Sequence, residues 1–249
     1  MKTTQKRNHF GKVAGAYAVY RRDYPDAVYE AIYRAVPSKD AHVLDVGCGT
    51  GLAASHLASY YRDVVGTDKE KEMVETAAKN AVGNVRYILA PAEQLPFPDH
   101  SLDLITVAQA FHWFDQPQAM KEMCRLLKPQ GFVIIFRKQL SDRHKLIADF
   151  IYHVVKKYAV IPLGSPIQDD FFTALHAGFR KAERKEILFE DRHSLEEYLG
   201  FLKSHSTFIL IPIEKQSAYL EEMRKELASR LENNQVVIRG VVEMWFCQP

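Results

Sequence analysis

Three glycines carry the clearest chemical signal in this sequence. Gly47, Gly49 and Gly51 alternate with Cys48 and Thr50 in the stretch VLDVGCGTGLAASHL (43–57). An apolar run precedes them and a helical pattern follows at once. Glycine has no Cβ, so it takes positive φ and lets a ligand lie against bare main chain. The helix behind it offers unpaired N–H groups and the positive end of its dipole. The spacing narrows the choice of ligand. A dinucleotide fingerprint reads G-x-G-x-x-G and would need a glycine where this chain has Leu52. A phosphate loop reads G-x-x-x-x-G-K-[ST], and that pattern is absent. Asp68 stands one helical pattern and one apolar run beyond Gly51. A carboxylate there can accept both hydroxyls of a ribose, the use that dinucleotide folds make of an acid about 20 residues on. It can also cap a helix over 69–80, and the two roles are compatible.

These residues need a scaffold that brings strand ends together, and the chain has the pattern of one. HVLDVG reads as a buried strand, GLAASHLASY as a helix and DVVGTD as a second strand. A helix over 69–80 follows, with Met73, Ala77 and Ala78 facing inward. VRYILA (85–90) and SLDLITVAQA (101–110) are the third and fourth strands. Asp115 is placed to cap a helix with Pro117 early in it, and Lys-Pro-Gln-Gly (128–131) stops that helix. GFVIIFRK is the fifth strand. This alternation predicts an α/β fold, a doubly wound, Rossmann-like, mostly parallel sheet with helices on both faces. In such sheets ligands bind at the carboxyl ends of the strands.

After residue 140 the rhythm changes. Residues 143–160 read as a helix, 161–168 as a Pro- and Gly-containing loop and 183–193 as a strand. Ser194 and Glu197 form a capping box for a helix after 194. A second amphipathic helix carries Leu220, Met223, Leu227 and Leu231, and a final strand contains Gly240 as a bulge. The expected organisation is a helical lid over 1–36, a ligand-binding core over 37–140, a helical cap segment over 141–181, and the remainder of the sheet with inserted cap helices over 182–249.

Composition sets the outer limits. The chain has 249 residues, 47% of them hydrophobic, which suits a substantial core. With 33 basic and 31 acidic residues the net charge is +2, and no basic block marks a nucleic-acid partner. Cys48, Cys124 and Cys247 make neither a disulfide framework nor a zinc site. The start lacks the apolar segment of a signal peptide, and no stretch reaches the roughly 18 apolar residues of a membrane span. A reduced, cytoplasmic protein without membrane or nucleic-acid partners is the expectation.

Four segments in order, VLDVGCGTG, VVGTDKEKEMVETAA, APAEQLPFPDHSLDLIT and AQAFHWFD, resemble the motifs of the class I S-adenosylmethionine-dependent methyltransferases. The resemblance covers residues 42 to about 137. The third and fourth segments, with Phe10, Ala14, Tyr17 and Arg21 ahead of them, are similar to the branch that contains trans-aconitate methyltransferases. It implies a seven-stranded sheet with an antiparallel last strand, S-adenosyl-L-methionine as cofactor and a small-molecule acceptor. Carried onto this chain, Gly47, Cys48 and Gly49 cradle the methionine portion, and Asp45 orients its amino group. Asp68 takes the ribose, beside Lys69, while Met73 packs by the adenine. Ala92 and Glu93 line the adenine edge, and Ala108 and Gln109 wall the methionine portion. Tyr17 and Arg21 close over the cofactor, with Arg21 pairing its carboxylate. Many members hold the adenine amino group with an acid where this chain has Pro91. That leaves the group to main chain, Glu93 or water.

Methyl transfer from a sulfonium is an in-line displacement that needs a nucleophile at about 3–3.5 Å and a dry pocket. Phe111, Trp113 and Phe114 can wall such a pocket, and the Trp113 ring face can hold a cation. Each can equally pack the core. His112 can take a proton from a hydroxyl or acidic carbon, or serve as a packed structural histidine. A carboxylate acceptor needs no base. Arg137 and Lys138 could then orient it, or simply be solvated. Relatives place a substrate-facing serine cluster at SHSTF (204–208), which makes His205 and Ser206 candidate contacts. The chain has no Asn-Pro-Pro-Tyr segment, which argues against methylation of amino groups on DNA bases or glutamine. It has no Pro-Cys pair, which argues against thiol attack on cytosine. A silent cofactor-binding protein is the alternative function. A nicotinamide-dependent oxidoreductase fits the fold but not the glycine spacing.

Overall fold

The structure is a computed structural model that describes residue 15 and residues 19–158, 179–205 and 207–249, with the backbone alone for 142–148. Seven strands form one sheet: β1 (His42–Val46), β2 (Asp63–Asp68), β3 (Val85–Leu89), β4 (Leu102–Ala108), β5 (Leu127–Leu140), β6 (Lys181–His193) and β7 (Val236–Gln248). Their spatial order is β3-β2-β1-β4-β5-β7-β6, mostly parallel with an antiparallel last strand, as expected. The helices are α1 (Asp26–Ala35), α2 (Leu52–Leu57), α3 (Lys71–Lys79), α4 (Gln116–Leu126), α5 (Asp142–Tyr158), α6 (Leu195–Lys203) and α7 (Ile213–Ala228).

The described residues divide into two compact units. The larger contains 23–138, 179–187 and 242–249; the other contains 15, 19–22, 139–158, 188–205 and 207–241. Strands β5, β6 and β7 contribute residues to both.

In the larger unit β1 is central. It pairs in parallel with β2 on one side and β4 on the other, and its residues 43–46 are all buried. A strand covered on both faces reads as a continuous apolar run, which is why it is visible in sequence. Strand order reverses between β1 and β4, and this opens the crevice at the strand carboxyl ends. Register aligns those ends: Val46 lies opposite Thr67, Asp68 opposite Leu89, and Ala108 opposite Phe136. Helix α1 buries Val28, Tyr29 and Ile32, and α4 buries Ala119, Met120, Met123 and Leu126. Asp115 caps α4 by accepting from the Gln118 N–H at 3.4 Å.

Two local expectations are corrected. Ala78 faces outward, so α3 buries Met73 and Ala77 alone. Strand β5 begins at Leu127, before the Lys-Pro-Gln-Gly segment rather than after it. Its register with β4 shifts between Leu102 and Leu104, so the segment is taken up as an irregularity inside the ladder. Gly131 permits this, since a Cβ there would sit 2.8 Å from the Leu127 side chain.

In the second unit α5 and α6 both pack on α7, which buries Tyr219, Met223 and Leu227. Ser194 and Glu197 form the expected reciprocal capping box on α6. Gly240 marks a close strand approach: a Cβ there would stand 2.1 Å from the Gln139 carbonyl oxygen.

Candidate functional site

The turn after β1 uses its glycines for different purposes. All three have positive φ, at +69° for Gly47, +55° for Gly49 and +85° for Gly51. A Cβ on Gly47 would meet Ala110 Cβ at 2.6 Å, and one on Gly51 would meet the Tyr87 hydroxyl at 2.3 Å. These two make room for the protein's own packing. Gly49 has nothing within 4 Å of its absent Cβ, so it presents bare main chain to open space. The Cys48 N–H donates to the Thr67 carbonyl at 2.9 Å and ties the turn to β2. The buried Cys48 thiol is pushed well above its usual range by desolvation, with Asp45 and Asp68 adding to the effect, so it stays protonated and unreactive.

Asp68 faces this turn from the end of β2. One carboxylate oxygen accepts from the Gly49 N–H at 2.9 Å, and the other from the Glu70 N–H at 2.9 Å. It therefore braces the glycine turn and holds the backbone that leads into α3, but it is not the helix cap expected from the sequence: Glu70 occupies that position, and no side chain caps the helix. Burial raises its pKa, and the Glu70 and Gly49 hydrogen bonds offset part of that rise. Hydroxyl donors from a sugar would favour the ionised form further.

Asp45 lies beneath the turn on β1 and is fully buried. The Thr106 hydroxyl donates to one of its oxygens at 2.8 Å. The second oxygen has no partner, and neither do the sealed hydroxyls of Thr50 and Thr67. Desolvation pushes the Asp45 carboxyl up to about 7. Thr106 opposes the rise, while Asp68 and Asp23 reinforce it.

Along the rim, Met73 is buried on α3, and Lys69 is exposed, 4.0 Å from Glu70. Leu89 ends β3 directly opposite Asp68 and is 53% exposed. Its apolar side chain at a strand end is the signal that sequence reading passes over. Ala92 is buried. The Glu93 carboxylate accepts from the Asp115 N–H at 2.7 Å, so it joins the loop after β3 to the start of α4. Ala108 closes β4. Gln109 follows in the left-handed region at φ +54°, held by its N–H to the Phe136 carbonyl at 2.9 Å. A non-glycine residue held there stores strain, a common feature of functional turns.

His112 and Trp113 sit in the 3-10 turn Phe111–Trp113, their ring centroids 4.9 Å apart. Phe111 is buried in the core and Phe114 packs on it at 6.1 Å, so both take the packing role. Arg137 is not a solvated cation. Its guanidinium bonds Glu243 at 2.9 Å and lies 5.4 Å from the Trp245 ring. Lys138 donates to the Asp23 carbonyl at 3.0 Å. Tyr17 and Ser206 lie outside the described residues. Arg21 belongs to the second unit, where it bonds Ser204 at 3.1 Å. The structure thus brings Asp45, Gly47, Cys48, Gly49, Asp68 and Gln109 to one crevice.

Comparison with known proteins agrees with this geometry. Residues 44–135 match a family model described as a methyltransferase domain. A Dictyostelium discoideum protein bearing a methyltransferase name is 31% identical over 82% of this chain and 79% of its own length. An uncharacterized methyltransferase of Mycobacterium tuberculosis is 28% identical, over 88% of this chain and 86% of its own. Among solved structures, one described as a type II methyltransferase from Anaeromyxobacter dehalogenans superposes with a TM-score of 0.71. It shares 23% identity and covers 92% of this chain and 98% of its own. An N-methyltransferase from Haemonchus contortus, bound to S-adenosylhomocysteine and phosphomonomethylethanolamine, shares the fold with a TM-score of 0.56 and 17% identity. That match covers 96% of this chain and 57% of the other.

Proposed function

This chain belongs to the class I S-adenosylmethionine-dependent methyltransferases, and from that premise we propose that it methylates a small molecule, a carboxylate being the candidate acceptor put to the test. Its cofactor, S-adenosyl-L-methionine, supplies a methyl group on a positively charged sulfur that is open to in-line attack. The residues present suit that cofactor. Gly49 offers bare main chain to open space, Asp68 braces it 2.9 Å away, and Asp45 beneath has an oxygen without a partner. The pairing of Gly49 with Asp68 is the observation that carries the reading.

We assign Asp68 to the ribose hydroxyls and the Gly47–Gly49 main chain to the methionine portion. Asp45 lies beneath the positively charged end, whose charge would draw the raised carboxyl toward its ionised form. Met73, Ala92 and the exposed Leu89 give the adenine an apolar surface, and Ala108 and Gln109 form the opposite wall. Trp113 offers a ring face to positive charge and excludes water. His112 is the residue to take a proton at its ring nitrogen when the acceptor is a hydroxyl or an acidic carbon; a carboxylate leaves it no proton to take. The segments APAEQLPFPDHSLDLIT and AQAFHWFD support a place in the branch containing trans-aconitate methyltransferases.

Calorimetry with S-adenosylhomocysteine, followed by transfer of labelled methyl from the cofactor into pools of small acids and small neutral metabolites, tests the proposal. Uptake by the wild type, its loss in Asp68→Ala, and label entering the acid pool are the expected results. Absence of uptake, or uptake unaltered in Asp68→Ala, overturns the cofactor assignment. Label entering only neutral compounds overturns the acceptor class.

A further inference from the structure

The smaller unit holds a cavity lined by none of the residues assigned to the cofactor or the acceptor. Its volume is about 470 Å³, within the range of roughly 300–1,000 Å³ that small-molecule sites occupy. Among the described residues its lining comes from the end of β5, the middle of β6 and a stretch of β7, over 139–141, 188–190 and 239–241. Leu140, Leu188 and Val241 supply apolar walls. Leu188 is 81% exposed. A single exposed leucine is ordinary, and the cavity beside it is what sets this one apart.

Charge decides what fits. Alternate side chains share a strand face, so Leu188 stands with Glu190 on β6, and Val241 with Arg239 on β7. Glu190 accepts from Arg239 Nε at 2.5 Å and from Arg192 Nε at 2.7 Å, which occupies both its oxygens. Arg239 also grips Glu232 through both terminal nitrogens, at 3.0 and 2.9 Å. The Arg239 bond, helped by the one from Arg192, holds Glu190 below the ordinary carboxylate range, so the network stays ionised at neutral pH. Its two acids and two arginines cancel. A charged ligand would have to break this network or sit beside Leu188 with its own charge unpaired, and both are costly. Gln139 lines the same cavity, and its carboxamide can both donate and accept.

A second copy of the chain fits this face less well. Strand β6 is the last of the sheet, and one of its faces carries Arg184, Glu186, Leu188, Glu190 and Arg192. Antiparallel pairing of two β6 strands about Leu188 would set Glu186 against Glu190 and Arg184 against Arg192. Like charges directly opposite are destabilising, so the strand favours a small ligand over its own copy. We propose that this cavity binds an uncharged small molecule with an apolar body and one hydroxyl or carbonyl group, which meets Gln139.

The test uses the full chain with 13C-methyl leucine and valine. Signals missing in Leu188→Glu and Val241→Ile identify the two residues. The probes are 2-naphthol, 2-naphthoate and 2-naphthylmethylammonium, titrated singly at neutral pH. The uncharged 2-naphthol is expected to shift the Leu188 and Val241 methyl signals and to bind about tenfold more tightly than either charged analogue. Leu188→Glu is expected to abolish the Val241 response, and Gln139→Leu to weaken it by about threefold or more. No shift with 2-naphthol overturns the proposal, as does equal binding of either charged probe or an undiminished response in either variant. Shifts of the same methyls with protein concentration alone show that a second copy covers the face and also overturn it. Retained uptake of S-adenosylhomocysteine by Leu188→Glu in calorimetry shows that the variant is folded, and keeps a failure here separate from a failure of the methyltransferase reading.

Discussion

Asp45 makes the fold sensitive to pH in a direction opposite to most carboxylates. Its pKa rises from an ordinary 3.8 to about 7 because it is fully buried and only one oxygen is hydrogen-bonded. The folded chain therefore keeps a proton that the unfolded chain releases on the way up from about pH 4. Stability falls as pH rises through that window and levels off above about pH 7. At about 1.36 kcal/mol for each pH unit, the loss is on the order of 4 kcal/mol. Asp45→Asn keeps an acceptor for the Thr106 hydroxyl and removes the titration. Urea unfolding of both proteins between about pH 4.5 and 8 isolates the effect. Asp63, Asp103 and Glu122 have lowered pKa values and lose stability toward acid, yet they are common to both proteins and cancel in the difference. Wild-type stability minus that of Asp45→Asn should fall by about 3–4 kcal/mol across the window. Parallel pH curves for the two proteins would refute the reasoning, because they would mean that Asp45 is ionised throughout.

Gly51→Ala adds a methyl 2.3 Å from the Tyr87 hydroxyl, on a backbone held at positive φ. It should lower the unfolding free energy in urea by about 2 kcal/mol, the sum of left-handed strain and overpacking. Gly49→Leu has open space around its Cβ. Its stability loss should be about 1–2 kcal/mol, the cost of a left-handed residue, while calorimetric uptake of S-adenosylhomocysteine disappears. Glu243→Ala leaves both Arg137 and Arg184 without their shared carboxylate. It should destabilise by about 3 kcal/mol in the same unfolding assay. Cys48→Ala should leave methyl transfer largely intact, because the thiol is held protonated and takes no part in nucleophilic chemistry.

The parts legible in sequence are those whose cause is local. The β1 run shows because all of residues 43–46 are covered, and the cap at Asp115 and the box at Ser194 are satisfied within three residues. Asp68 is legible because its distance from the glycines is set by one helix and one strand. What stays hidden depends on distant partners. Arg137 reads as a strand-end cation until Glu243, 106 residues away, lies beside it. Glu93 reads as a rim acid until the Asp115 N–H reaches it. The irregularity in β5 also needs the register against Leu102 and Leu104, which no pattern in residues 127–131 encodes. Leu89 is apolar like its strand neighbours, and only its accessible surface sets it apart.

Strands β5, β6 and β7 each donate one stretch to the larger unit and another to the smaller. A gene fragment stopping at Lys138 would therefore yield neither half intact, since it discards β6 and β7 and leaves the outer edge of β5 with no neighbour. Proteolysis after β5 should give a sticky, aggregating piece instead of an autonomous nucleoside-binding domain. The stretches of the smaller unit are thus woven into strands that the larger unit also uses, and grafting them elsewhere means transplanting three strands at once.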